Sequence, residues 1–241
     1  MIVEGPQAVR EAVRFAAARV RDVYLTAAAS ERYAEILDEA RAASLYVHGM
    51  TPEVAEAMSP DAQGVVAVVD EAAPSLTEAL LGSPHLVAIL SNARDPGNVG
   101  TAIRAADAAG ASAVILAGDC VDPSNPKVVR ASAGSLFHLP VVRGVTLAEA
   151  VAACREAGLR VLATDGSGAL TLGGPGADAV ALAAPTAWAF GNEAWGLTPE
   201  ELALADATVR IPIYGQAESL NLATAVAVCL YASAAGRELE T

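Results

Sequence analysis

From residue 86 onward the chain repeats one unit: a short, almost wholly apolar run followed by a segment with helical spacing. The runs are Leu86–Leu90, Ala113–Ala117, Leu139–Val142, Arg160–Ala163, Ala187–Phe190 and Thr208–Ile213, and all but the last lack the alternation of a sheet with one wet face. Between them lie helical segments at Val99–Ala109, from Lys127, and at Thr146–Ala157, two of them ended by Gly110 and Gly158; the segment Ser219 to about Ala235 is a long final helix. Strands buried on both faces and joined through helices form parallel sheets, so the pattern predicts an α/β fold with a mostly parallel sheet covered on both sides.

A smaller unit precedes this. Helices are expected at Gln7–Val20 and Glu31–Ala42, with a third starting at Thr51-Pro52-Glu53, and strands at Val23–Leu25, Ser44–Val47 and Val65–Val69. Asp70–Ser75 combines charge, proline and small residues as a linker does. The expected organisation is therefore 1–73 as a small α/β domain, 74–84 as linker and leading helix, and 85–241 as the main domain. No apolar run is long enough to span a membrane, and the first residues do not read as a secretion signal, so a cytoplasmic protein is expected. Cys120, Cys154 and Cys229 are far apart without a CxxC pair, which predicts reduced thiols and no metal site.

The formal net charge of −13 opposes simple nucleic-acid binding, because phosphate contacts come from basic faces. Two sets of basic residues could still form local patches: Arg10, Arg14, Arg19 and Arg21, then Arg94, Arg104, Lys127, Arg130 and Arg143.

Polar residues concentrate after three of the strands, where open α/β sheets bind ligands. In the first segment, Asn92–Arg104, Asp95-Pro96-Gly97 makes a turn, Asn98 can cap the next helix, and Arg104 lies about one and a half turns further on. In the second, Gly191-Asn192-Glu193-Ala194-Trp195-Gly196, a glycine allows close backbone approach to a ligand and Glu193 offers a carboxylate. In the third, Ile211–Asn221, Ser219 is placed as the cap of the last helix, with Leu220 and Asn221 at its first positions. His48, His85 and His138 fall outside all three segments. No GxGxxG opens a βαβ unit, which argues against a dinucleotide-dependent dehydrogenase.

The three segments in this order, NxGxxxR at Asn98, Gly100 and Arg104, GNExxG at 191–196 and IPI…SLN at 211–221, resemble the motifs of the SpoU (TrmH-like) RNA 2′-O-ribose methyltransferases of the SPOUT superfamily. The resemblance covers residues 85–235. The EGPQAVREAV opening and the QGVVAVV strand are similar to that family's substrate-binding domain, itself similar to a ribosomal protein.

The resemblance implies a parallel sheet flanked by helices with a C-terminal deep trefoil knot, S-adenosylmethionine as cofactor, and a homodimer acting on RNA, ribosomal RNA being favoured over transfer RNA. It implies cofactor contacts at Thr164, Gly191, Ile211 and Leu220, and catalytic roles for Arg104, Asn98, Glu193, Ser219 and Asn221. A guanidinium stays protonated, so Arg104 is expected to stabilise charge and grip a phosphate rather than act as a base. A non-catalytic RNA-binding or ribosome-assembly protein on the same fold is the rival expectation.

Overall fold

A computed structural model describes residues 1–174 and 182–238. Residues 175–181 and the last three residues of the expected main domain lie outside them.

The first unit is a four-stranded sheet in the order β1-β4-β2-β3. Its strands are β1 (Ile2–Glu4), β2 (Val20–Thr26), β3 (Tyr46–Met50) and β4 (Val65–Val69), with β4 antiparallel to both β1 and β2 and β2 parallel to β3. Helix α1 (Pro6–Ala16) buries Ala8, Val9, Ala12, Val13 and Ala16, the i, i+1, i+4, i+5, i+8 face of one stripe, against this sheet. The helix expected to run to Val20 stops at Ala16, and after one 3-10 turn Val20 already belongs to β2. The helix expected over Glu31–Ala42 is two, α2 (Ala27–Arg32) and α3 (Ala34–Ala42), broken at Tyr33 with φ −122° and ψ 47°. Thr26 starts α2 early by accepting from the Ala29 N–H at 3.2 Å. Thr51 caps α4 (Pro52–Met58) as its sequence predicts.

The second unit is a seven-stranded sheet in the order β7-β6-β5-β10-β8-β11-β9. The strands are β5 (Leu86–Ser91), β6 (Ala113–Ala117), β7 (Val141–Val145), β8 (Arg160–Thr164), β9 (Leu170–Thr171), β10 (Thr186–Phe190) and β11 (Ala207–Arg210), and every neighbouring pair is parallel. Both faces are covered. Along β5, Leu86, Ala88 and Leu90 join a cluster with residues of α6 (Pro96–Ala108), α7 (Pro126–Ser132) and α10 (Leu222–Glu238). Val87 and Ile89 point the other way, into a cluster with α5 (Leu76–Ala79) and α8 (Leu147–Glu156), against which Leu202 of α9 (Pro199–Leu202) also packs. The period-2 geometry of a strand thus splits an unbroken apolar run between two cores. Gly100 lets α6 and α7 touch: a Cβ there would stand 2.6 Å from the Ala131 Cβ and the Val128 carbonyl oxygen. Strand β11 ends at Arg210, short of the expected Ile213, and Pro212 has no N–H to donate to a ladder.

The two units share side chains. Val129 of α7 and Phe137 sit in the core of the first unit. Arg130 pairs with Glu4 at 2.9 Å and with Asp61, and His138 lies 3.2 Å from Glu11 and 2.7 Å from Asp107.

Candidate active site

The carboxyl ends of β8, β10 and β11 open onto a cavity of about 560 Å³. Three loops wall it: Thr164–Gly166 after β8, Gly191–Gly196 after β10, and the stretch from Ile211 to Leu222 that leads into α10. Thr164, Gly191, Glu193, Ile211, Ser219, Leu220 and Asn221 all line it, and Asn98 reaches it from α6. Phe190, Ile211, Ile213, Leu220, Leu222 and Ala225 give it apolar walls, while Asp165, Glu193 and Glu218 bring carboxylates. Asp165, Gly166, Asn192 and Glu218 were not singled out from sequence, although each is one or two positions from a residue that was.

Side-chain hydrogen bonds tie the three sequence segments together at the rim. Asn221 Nδ2 donates to Asn98 Oδ1 at 2.8 Å, and Asn98 Nδ2 donates to Glu193 Oε1 at 3.2 Å. The Asp95 N–H donates to the same carboxylate oxygen at 3.4 Å. Two placements expected from sequence are corrected here. Asn98 is not the cap of α6: Asp95 is, accepting from the Asn98 N–H at 2.7 Å, with Pro96 at the first helical position. Ser219 is not the cap of α10 either. Asn221 is, its Oδ1 accepting from the N–H groups of Ala223 at 3.0 Å and Thr224 at 3.3 Å. Both shifts matter chemically. They free the Asn98 side chain to turn toward Glu193, and they let Asn221 hold the helix with its oxygen while donating with its nitrogen.

The second loop is a closed hairpin. Asn192 and Gly196 exchange backbone hydrogen bonds at 3.1 and 2.9 Å, and Asn192 Nδ2 donates to the Asn92 carbonyl at 2.6 Å. Gly191 is required by this loop itself, because a Cβ there would lie 2.1 Å from the Gly196 carbonyl carbon. Its close approach is to neighbouring backbone, a tighter constraint than the ligand contact expected from sequence. Thr164 Oγ1 donates to the Ala189 carbonyl at 3.2 Å, fixing the end of β8 against β10.

Arg104 stands apart. It is exposed on α6, does not line the cavity of its own chain, and makes no ion pair or side-chain hydrogen bond among the described residues. Most of the basic residues expected to form patches are instead neutralised: Arg10 by Glu11, Arg14 by Glu39, Arg21 by Asp70, Arg94 by Asp119, Arg143 by Glu71 and Asp122, and Arg130 as above. Trp188 is buried and donates to Ser233 Oγ at 2.9 Å; Trp195 is exposed beneath the Arg94 guanidinium. None of the histidines lines the cavity. The cysteines are unbonded thiols; burial pushes Cys120 up to about 11 and Cys154 up to about 12, which keeps both protonated at neutral pH.

This geometry can be set against known proteins. Residues 85–231 match the model of the SpoU rRNA methylase family, and residues 2–75 match that of the RNA 2′-O ribose methyltransferase substrate-binding domain. The chain belongs to the SpoU rRNA methylase family. It is similar to the 23S rRNA (guanosine-2′-O-)-methyltransferase RlmB of Bordetella pertussis, with 32% identity over 244 residues covering 98% of each chain. It is also similar to the 23S rRNA (guanosine(2553)-2′-O)-methyltransferase RlmP of Bacillus subtilis, with 38% identity over 156 residues, 65% of this chain but only 60% of that protein. Among solved structures, the SpoU methyltransferase AviRb from Streptomyces viridochromogenes in complex with AdoMet superimposes with a TM-score of 0.84 at 33% identity, over 99% of this chain and 91% of that one.

Proposed function

We propose that this SpoU protein transfers a methyl group from S-adenosylmethionine to a ribose 2′-hydroxyl of ribosomal RNA in the cytoplasm. The observation that carries the reading is the Asn221–Asn98–Glu193 chain of hydrogen bonds, which joins three separate segments at the mouth of one cavity. The relatives named for 23S rRNA methylation, together with the AdoMet-bound structural neighbour, favour ribosomal over transfer RNA.

The cavity suits S-adenosylmethionine on its own terms. Its apolar walls match an adenine ring and a methionine chain, and Asp165, Glu193 and Glu218 match the positive charges of a sulfonium and an ammonium. Thr164, Gly191, Ile211 and Leu220 are the residues that would hold it. Bound there, the cofactor would supply an electrophilic methyl on sulfur, to be taken by the ribose 2′-oxygen as the S–C bond breaks and the hydroxyl proton passes to solvent. The protein's part is positioning and charge. Asn98, Ser219 and Asn221 orient the ribose at the rim, and Glu193 fixes Asn98 in turn. Arg104 stabilises the alkoxide that develops and grips the adjoining phosphate.

Arg104 performs that role across a homodimer. Thr224, Val228 and Tyr231 on α10 and Thr101, Arg104 and Ala108 on α6 are exposed, and Tyr231 Oη donates to the Ala108 carbonyl at 3.4 Å, so the two helices present one surface. Pairing two copies through it carries Arg104 toward the partner's cavity. The fold reading extends to the deep trefoil knot that the family resemblance implies, and the place of β11 between β8 and β9, two strands laid down earlier in the chain, is compatible with it. In this reading residues 1–73 dock the RNA, 74–84 connect, and 85–241 perform the transfer.

Isothermal titration with S-adenosylmethionine, followed by a tritiated-methyl assay on ribosomal and transfer RNA, tests the reading. Micromolar-range binding with label on ribosomal RNA is expected. A folded dimer that binds no cofactor overturns it in favour of a non-catalytic RNA-binding protein.

A further inference from the structure

The first unit carries an aromatic track that the transfer site does not use. Strands β2 and β3 pair in parallel with Asp22 opposite Tyr46, Tyr24 opposite His48 and Thr26 opposite Met50. Residues two apart share a face, so all of these side chains lie on the side of the sheet away from α1, whose partners Val23 and Leu25 are core. Tyr46 is 74% exposed at the edge strand. Tyr24 and His48 stack face to face, ring centroids 4.9 Å apart, and His48 Nε2 lies 2.8 Å from Asp22, occupying the acid nearest to them.

The next row along, Thr26 and Met50, forms part of the wall of a cleft of about 740 Å³. Across it stands Arg32, exposed, its guanidinium 5.3 Å from the Tyr33 ring centroid, while Tyr33 Oη donates to Gln63 Oε1 at 3.1 Å. Arg10, Arg14 and Arg21 of this unit are each ion-paired, whereas Arg32 makes no ion pair among the described residues. In a chain with formal net charge −13, Arg32 thus brings an unpaired guanidinium to the cleft, over the half-buried Tyr33 ring.

We propose that this face binds an unpaired stretch of the RNA substrate, with bases stacked on Tyr46 and on the Tyr24–His48 pair and a phosphate held by Arg32 at the cleft. The proposal rests on the reading that the protein acts on RNA, and names where that RNA docks. The chemistry favours single strands. Aromatic side chains stack on bases that are free of a helix, and such contacts tolerate sequence. Successive rows along the strands are about 7 Å apart, two residues of strand rise, which leaves room for one ring per base. Arg32 supplies a charge-assisted contact at the cleft itself.

Fluorescence anisotropy with a labelled single-stranded oligoribonucleotide of about 12 nucleotides, against a duplex of the same length, reads this directly. Tyr46→Ala is expected to weaken single-strand binding about tenfold, and Tyr46→Phe to restore it, because a stacking face survives. Arg32→Ala is expected to lower the slope of log affinity against log salt by about 0.7, the release expected for one phosphate on a single strand. Both side chains are exposed, so the thermal midpoint reports whether the fold is intact. Unchanged single-strand affinity in Tyr46→Ala and Arg32→Ala, or duplex bound as tightly as single strand, overturns the docking face. Titration of the same variants with S-adenosylmethionine separates the two readings: a wild type that binds cofactor and methylates ribosomal RNA but ignores the oligonucleotide refutes the face alone. A wild type that binds the oligonucleotide yet neither binds cofactor nor transfers methyl refutes the transfer reading and leaves the face standing.

Discussion

The two sheets place their chemistry in opposite ways. In the seven-stranded sheet both faces are core, so polar residues are confined to loops at the carboxyl edge, where they meet only because the fold brings distant segments together. In the four-stranded sheet one face stays partly open, and its distinctive side chains are set by register along two neighbouring strands. A site of the first kind is rigid and sensitive to backbone change. One of the second kind is a surface whose members can be removed singly.

That contrast can be broken most violently at Gly191. A side chain there must displace the backbone of Gly196 and Leu197, so Gly191→Val is expected to abolish cofactor binding and to destabilise the protein by about 3 kcal/mol or more, roughly 10 °C in thermal midpoint. Calorimetry of folding and of cofactor binding checks both; an intact cavity in this variant would mean that the hairpin is softer than its contacts require. A smaller loss is expected for Asn98→Ala, which cuts the link between Asn221 and Glu193. Methyl transfer should fall on the order of 100-fold with the melting temperature nearly unchanged, since positioning and not packing is lost.

Arg104→Lys keeps the charge and removes the planar fork. About a tenfold drop in transfer is expected at unchanged cofactor affinity, because Arg104 does not line the cavity of its own chain. Near-full rate would exclude any role that depends on the fork.

The least effect concerns the carboxylate that closes the base of the sheet. Burial raises Asp206, but the Val161 N–H and Arg155 more than offset it, and the net shift is downward. A depressed folded value means that the contribution to stability is present above the unfolded pKa of about 3.9 and is lost as pH falls from there through the folded value. Asp206→Asn should therefore flatten the acid side of the stability profile below about pH 4, and acid titrations followed by circular dichroism would reveal it.

Much of the candidate site's lining was legible in the sequence because it is built from local signals. Turn residues after apolar strands mark loops at the sheet edge, and every residue singled out for cofactor or catalysis, Arg104 excepted, lines the one cavity. What sequence misplaced were the caps. The stretch Asp95-Pro96-Gly97-Asn98 offers two capping side chains, and the choice falls to Asp95 because proline takes the first helical position after it. At the other helix Ser219 and Asn221 compete, and the chain between Ile211 and Leu220 stays irregular to wall the cavity.

The first unit was harder to read. Strand β1 is only Ile2–Glu4 and exists through pairing with β4, more than sixty residues away. The arginine patches dissolved for the same reason: Arg14 finds Glu39 and Arg21 finds Asp70, partners that adjacency in sequence does not reveal. Arg32 carries no signal in the sequence, since its place on the cleft beside Thr26 and Met50 follows from the pairing of β2 with β3.

The insertion of β11 between β8 and β9 also orders events in time. Among the described residues, strand β9 pairs with β11 and with no other strand. A chain emerging from the ribosome amino end first therefore makes residues 170–171 long before it makes 207–210. Until the later strand slides into its slot, the earlier one has no strand to pair with, and the candidate cavity lacks a wall. Completion of the cavity is thus a late event: a chain released before Ala207 can carry the whole first sheet and still lack the stretch from Ile211 to Leu222 that walls the candidate site.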